Sequence, residues 1–113
     1  VSQYKESDFE KEELKELYKM VSKKITQEDI KNLFEQGRAE FNRGKYDDAE
    51  KLLNQVLSVE AENLDALYFM GRVYHQRGKK KKAIEYYEKV IEIDAASSRA
   101  AEAKSRLRQL GVN

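Results

Sequence analysis

A self-similarity with a period of 34 residues constrains the fold of this chain more than any other sequence feature. Shifting the sequence by that period superimposes identical residues, among them the pairs Gly37/Gly71, Arg38/Arg72, Arg43/Arg77, Gly44/Gly78, Lys45/Lys79, Ala49/Ala83, Val56/Val90 and Ala61/Ala95. Periods of this length are typical of proteins that stack one supersecondary unit upon the next. The sequence therefore predicts a repeat protein.

Each repeat unit has the pattern of two amphipathic helices. In the first unit the helical spacing is kept by Ile30, Leu33, Phe34, Gly37, Phe41, Ala49, Leu52, Leu53, Val56 and Leu57. Gly44 and Gly78 interrupt the pattern, and glycine readily takes the left-handed conformation that ends a helix. Gly37 and Gly71 lie inside helices, where we expect a close approach of the partner helix at Ala49 or Ala83.

The flanking segments also have helical patterns. Thr26 precedes acidic residues in the manner of an N-cap, so we expect the first repeat helix to start near Gln27. A helix from Ser98 to Leu110 ends at Gly111 and closes the stack. Upstream, residues 8–24 predict an added amphipathic helix whose apolar stripe holds Leu14, Leu17, Tyr18, Val21 and Ile25. That makes six helices.

Composition excludes several classes of protein. The 113 residues include no Cys and one His, so we predict no disulfide, no metal site, no cofactor and no enzymatic activity. No apolar run is long enough to span a membrane. The charged fraction of 38% nearly balances to a net charge of +1. Because the chain begins at Val1 without a signal-like segment, we expect a trimmed or mature piece.

The helix-turn-helix unit, with its Gly and Ala positions, resembles the tetratricopeptide repeat. Two departures are the Leu33/Leu67 pair in place of a large aromatic residue and the Ala61/Ala95 pair in place of proline. The resemblance implies an all-α fold: a right-handed superhelical stack of antiparallel helix hairpins, or α-solenoid. The expected organisation is an N-terminal extra helix (1–26), two repeats within 27–97 (about 30–63 and 64–97) and a C-terminal capping helix (98–113).

The resemblance also implies a non-enzymatic adaptor that binds a partner protein segment in the concave groove. The positions that line this groove in the family predict partner contacts at Arg38, Arg72, Arg106, Phe34, Phe41, Asn42, Tyr68, Phe69, Gln76 and Arg99. A subset of the family clamps chaperone tails with Lys and Asn residues. Only Arg99 keeps that charge type here, so we expect no chaperone-tail binding.

Three of these arginines, Arg38, Arg72 and Arg106, recur at the repeat period and predict a ladder of guanidinium groups on one face. Guanidinium groups beside aromatic rings favour a short acidic-hydrophobic peptide as the ligand. Two alternatives stay open. Each arginine could instead pair with a neighbouring acid such as Glu35, Asp65 or Glu102, and the aromatic residues could belong to the core.

Charge is distributed unevenly along the chain. The net charge is −2 for residues 1–29, −2 for 30–63, +2 for 64–97 and +3 for 98–113. An acidic head and a basic tail favour an alternative function, a self-associating scaffold or homo-oligomer that uses the N-terminal helix and pairing of its ends. The run from Lys79 to Lys82 is too small a footprint for us to expect nucleic acid.

The closing stretch, residues 95–107, resembles the ends of repeat domains in bacterial envelope-assembly proteins. This likeness favours a bacterial source and leaves both the cytoplasm and the periplasm open.

Overall fold

A computed structural model describes residues 25–112, and that part of the chain is all helical. Its five helices are α1 (Gln27–Asn42), α2 (Tyr46–Val59), α3 (Leu64–Gln76), α4 (Lys80–Ile93) and α5 (Ser98–Gln109). The predicted all-α repeat fold is confirmed. The sixth predicted helix, at 8–24, lies outside the described residues. None of the five helices is both long and apolar enough to cross a membrane.

The helix starts fall into two kinds. Thr26 and Asp29 cap α1 reciprocally, because each backbone N–H donates to the other's side chain, at 3.0 and 3.2 Å. Asn63 and Ser97 cap α3 and α5 by accepting from a backbone N–H. The starts of α2 and α4, at Lys45 and Lys79, have no side-chain cap. The predicted start of α1 at Gln27 is confirmed.

Three helices end in the same way. Gly44, Gly78 and Gly111 have φ of 79°, 76° and 86°, so the predicted left-handed glycines are confirmed. After each glycine, the next backbone N–H donates to a carbonyl five residues earlier, as Lys79 does to Tyr74 at 2.9 Å. This pattern is a Schellman motif, which satisfies carbonyl groups left open at a helix end. It reverses the chain from α1 into α2 and from α3 into α4.

The core is centred on α3, which contacts α2, α4 and α5. Eight of its thirteen residues are buried, whereas α2 and α4 each bury three. The largest fully buried side chains of the described residues are Tyr68, Tyr87, Leu53, Met70, Val56, Val73 and Val90. Burial of these side chains supplies most of the stability, at about 1.5–3 kcal/mol for each large apolar side chain.

The second helix of each hairpin approaches the interior glycine closely, as predicted, but the nearest atoms belong to Leu53 and Tyr87 and not to Ala49 or Ala83. A Cβ atom at Gly37 would lie 3.2 Å from Leu53, and one at Gly71 would lie 2.6 Å from the Tyr87 ring. The alanines at 49 and 83 are themselves fully buried, but they are not the closest neighbours. The glycines make room for a side chain that reaches across from the second helix of the same hairpin.

Candidate functional site

Side chains from α3, α4 and α5 meet in a polar cluster, which we call the arginine–histidine cluster. Its members are Tyr68, Arg72, His75, Tyr87 and Arg106. Helix α3 supplies three of them at positions spaced three and four residues apart, which places them on one face of the helix. Helix α5 adds Arg106 one repeat period after Arg72.

The guanidinium group of Arg72 lies over an aromatic ring. Its guanidinium carbon is 4.9 Å from the centre of the Phe41 ring, within the range of a cation–π contact. Its Nε atom is buried and has no hydrogen-bond partner among the described residues. Arg72 also forms no ion pair there. A buried donor without a partner is costly to stability.

Arg106 is held by a phenol rather than by a carboxylate. Its Nε atom donates to the Tyr68 hydroxyl at 3.1 Å, and one terminal nitrogen donates to Gln109 at 3.3 Å. The hydrogen bond to Tyr68 raises the pKa of Arg106, which is therefore always charged. Like Arg72, it forms no ion pair with any described carboxylate. Its remaining guanidinium N–H groups can bind an anion.

His75 lies between the two arginines and stays neutral at pH 7. Its Nδ1 atom is 3.1 Å from the Tyr87 hydroxyl. Burial lowers the pKa of His75, and the positive charges of Arg106 and Arg72 lower it further. Burial also raises the pKa of Tyr87, so the phenol keeps its proton. The permanent charge of the cluster therefore comes from the two arginines alone.

The other two predicted arginines are neutralised. Arg38 pairs with Glu35 on its own helix at 2.6 Å, as the alternative interpretation of the ladder expected. Arg99 pairs with Asp65 at 2.6 Å and with Glu102 at 3.3 Å, and it stacks on the rings of Tyr68 and Phe69. The three arginines that share the repeat register thus differ: Arg38 has a carboxylate partner, and Arg72 and Arg106 have none within residues 25–112.

The predicted aromatic contacts form an edge-to-face cluster beneath the arginines. Phe69 lies 5.4 Å from Phe34, 5.7 Å from Phe41 and 5.5 Å from Tyr68, measured between ring centres. The exposed fractions are 8% for Phe34, 7% for Phe41, 1% for Tyr68 and 7% for Phe69. These rings support Arg72 and Arg99 from below. Asn42 and Gln76 are exposed at the C-terminal ends of α1 and α3.

Sequence reasoning missed the contact between His75 and Tyr87, although the repeat itself carries a signal. At the repeat period, His75 replaces Phe41 and Tyr87 replaces Leu53, so two apolar positions become polar in the second unit. The hydrogen bond between His75 and Tyr87 gives each of the two new polar groups a partner. A paired change of this kind is readable from the alignment of the two units.

Comparison with known protein families matches residues 34–100 to the family described as Tetratricopeptide repeat. Comparison with curated proteins gives no match. Within residues 25–112, no three His, Asp or Glu side chains come together to hold a metal ion.

Proposed function

Because the chain belongs to the tetratricopeptide repeat family, we propose that it is a non-enzymatic adaptor that binds an acidic segment of a partner protein at Arg72 and Arg106. Repeats of this family generally mediate protein–protein interactions. The partner segment binds on the face formed by α1, α3 and α5, where the arginine–histidine cluster lies.

One observation carries the proposal. Arg72 and Arg106 are two permanent charges without a carboxylate partner among the described residues, while Arg38 and Arg99 are paired. The Nε atom of Arg72 is already shielded from water, so part of its desolvation cost is met before a ligand arrives. A carboxylate can accept two parallel hydrogen bonds from a guanidinium group.

The partner chemistry follows from the surroundings of the two charges. The rings of Phe34, Phe41 and Phe69 are more than nine-tenths buried, so they offer edges rather than a deep apolar pocket. A short segment with Asp or Glu next to one apolar residue suits this surface. The other predicted contacts, at Asn42, Tyr68, Gln76 and Arg99, then flank or support the bound segment, whereas Arg38 is held by Glu35 on its own helix and takes no part in the proposed contact.

Panning a displayed library of random peptides against the full chain tests the proposal. We expect the recovered peptides to be enriched in Asp or Glu beside an apolar residue. Replacing both arginines (Arg72→Gln, Arg106→Gln) should weaken binding of a recovered peptide at least about a hundredfold, since each lost charge-assisted hydrogen bond is worth about 1.5–3 kcal/mol.

A matched control uses the arginines that already have partners. The pair Arg38→Gln, Arg43→Gln removes the same charge from arginines paired with Glu35 and Glu40 on their own helix. We expect this variant to bind within about threefold of wild type, because exposed ion pairs contribute little. Recovery of peptides without acidic residues, or equal losses in both double variants, would contradict the proposal.

A second candidate function is a self-associating scaffold. The acidic N-terminal part and the basic C-terminal part of the sequence favour contact between copies. An open groove between α4 and α5, at the basic end, is the specific observation that supports this function.

A further inference from the structure

A groove of about 550 Å³ runs between α4 and α5. Its apolar side chains are Ile91, Leu107 and Val112. Charged residues line its two sides, with Glu88 and Glu92 on α4 and with Lys104 and Arg108 on α5. The Schellman motif at Gly111 shapes the end of the groove, because it bonds the Val112 N–H to the Leu107 carbonyl.

The repeat explains why this surface is a groove. We compared each groove residue with the residue 34 positions earlier in the sequence. Leu57 on α2 stands in the place of Ile91, and Val73 on α3 in the place of Leu107. Tyr74 stands in the place of Arg108. In the described structure α4 packs against that side of α3, where Tyr86 stacks on Tyr74 with ring centres 5.6 Å apart. A further helix of the α4 type would pack against the corresponding side of α5, which borders this groove.

The charges along the groove do not neutralise each other. No ion pair joins Glu88 or Glu92 to Lys104 or Arg108 across it. Among the described residues, Arg108 hydrogen-bonds only to Ser105 on its own helix, at 3.4 Å. An amphipathic helix with a basic flank toward α4 and an acidic flank toward α5 would pair all four charges, and it would fit in only one of its two directions.

This chain contains a sequence with that distribution. At the helical angle of about 100° per residue, Leu14, Leu17, Tyr18 and Val21 share one stripe. One flank of the stripe carries Lys11, Lys15 and Lys19, and the other carries Glu13 and Glu16, with Lys24 near its far end. Residues 11–24 also match the length of α4, which has 14 residues.

We propose that the groove between α4 and α5 binds residues 11–24 of a second copy of this chain. The contact joins two different surfaces, so it links copies head to tail rather than face to face. It is independent of the adaptor function, because it uses neither Arg72 nor Arg106.

Sedimentation equilibrium of the full chain over a hundredfold range of concentration tests this inference. We expect the mass to rise above the 13.2 kDa of one copy and the association to weaken as salt screens the charges. Reversing the α4 side of the groove (Glu88→Lys, Glu92→Lys) should lower the association constant about tenfold or more, since two attractive pairs become repulsive.

Two further variants make the result specific. Glu85→Lys changes an exposed residue of α4 that does not line the groove, so it should associate like wild type. Adding Lys15→Glu and Lys19→Glu to the groove reversal should restore association, because the opposed charges are exchanged between the two surfaces. The Arg72→Gln, Arg106→Gln variant should associate like wild type.

If the wild-type mass stays at that of a single copy at every concentration, the inference is overturned. The groove would then be a binding surface for a helix of another protein. The inference is equally overturned if the charge exchange fails to restore association, or if Glu85→Lys weakens it as much as the groove reversal. Circular dichroism of every variant establishes that a loss of association is not a loss of fold.

Discussion

The Tyr74 hydroxyl donates a 2.5 Å hydrogen bond to Glu50, which lies 24 residues earlier in the sequence. Arg77 donates to the other oxygen of Glu50 at 2.8 Å and also pairs with Asp47. One carboxylate of α2 therefore holds both the end of α3 and the residue that follows it. The corresponding arginine of the first unit, Arg43, pairs instead with Glu40 on its own helix.

The Glu50 contact predicts a loss of stability on truncation. Glu50→Ala should lower the free energy of unfolding by about 1–3 kcal/mol, because Tyr74 and Arg77 lose a charged acceptor in a half-buried position. Urea denaturation measures the change. Glu62→Ala, at an exposed position before α3, serves as the control and should change the free energy by less than about 0.5 kcal/mol. Equal effects would contradict a role for this contact.

The interior glycines predict a contrast between two identical substitutions. Gly71→Ala should destabilise the fold by about 1–2 kcal/mol, because the new methyl group would overlap the Tyr87 ring. The free-energy cost of this overlap exceeds the gain in helix propensity from replacing glycine by alanine. Gly37→Ala should cost less, since its nearest neighbour Leu53 is 3.2 Å away and has to shift by only a few tenths of an ångström. Thermal unfolding of both variants provides the comparison. A larger loss at Gly37 would show that this account of the packing is wrong.

The only histidine of the chain predicts a pH effect with a defined sign. Burial and two arginines lower the pKa of His75, so an NMR titration of its ring should give a midpoint below 6.5. Arg106→Gln should move that midpoint upward by removing a nearby positive charge. The unfolded chain takes up this proton near pH 6.5, so the contribution of His75 to stability is present above that pH and is lost as the pH falls through the lowered pKa. A midpoint at or above 6.5 would contradict the cluster geometry.

The uncapped start of α4 predicts a stabilising substitution. Lys79 occupies the N-cap position without a side-chain hydrogen bond, and three more lysines follow in the first turn. Lys79→Asp should raise the free energy of unfolding by about 0.5–2 kcal/mol, because it adds a cap and a negative charge at the positive end of the helix dipole. Thermal unfolding measures the gain. Lys104→Asp in the middle of α5 should not reproduce it.

The helix boundaries were predictable because local chemistry determines them. The left-handed glycines Gly44 and Gly78, the Thr26 cap and the helical spacing of apolar residues each act over a few positions, so a single sequence reveals them. The capping helix from Ser98 was predictable for the same reason. The predicted domain limits and partner contacts remain predictions.

The partner of each long side chain was not predictable in this way. Three arginines share one register in the sequence, yet Arg38 pairs with Glu35, Arg72 lies on Phe41, and Arg106 bonds to Tyr68 from 38 residues away. The choice depends on which helices come within reach after packing, and a side chain with several rotatable bonds can turn to either side of its helix.

The sequence by itself determined the repeat, its helices and its turns, because these depend on periodicity and on the backbone preferences of single residues. Only the tertiary structure decided which charges stay unpaired and which surface stays uncovered. Within the described part of the chain Arg72 and Arg106 are left without an acid and the groove beside Leu107 is left open, because both depend on distances between helices that no local pattern encodes.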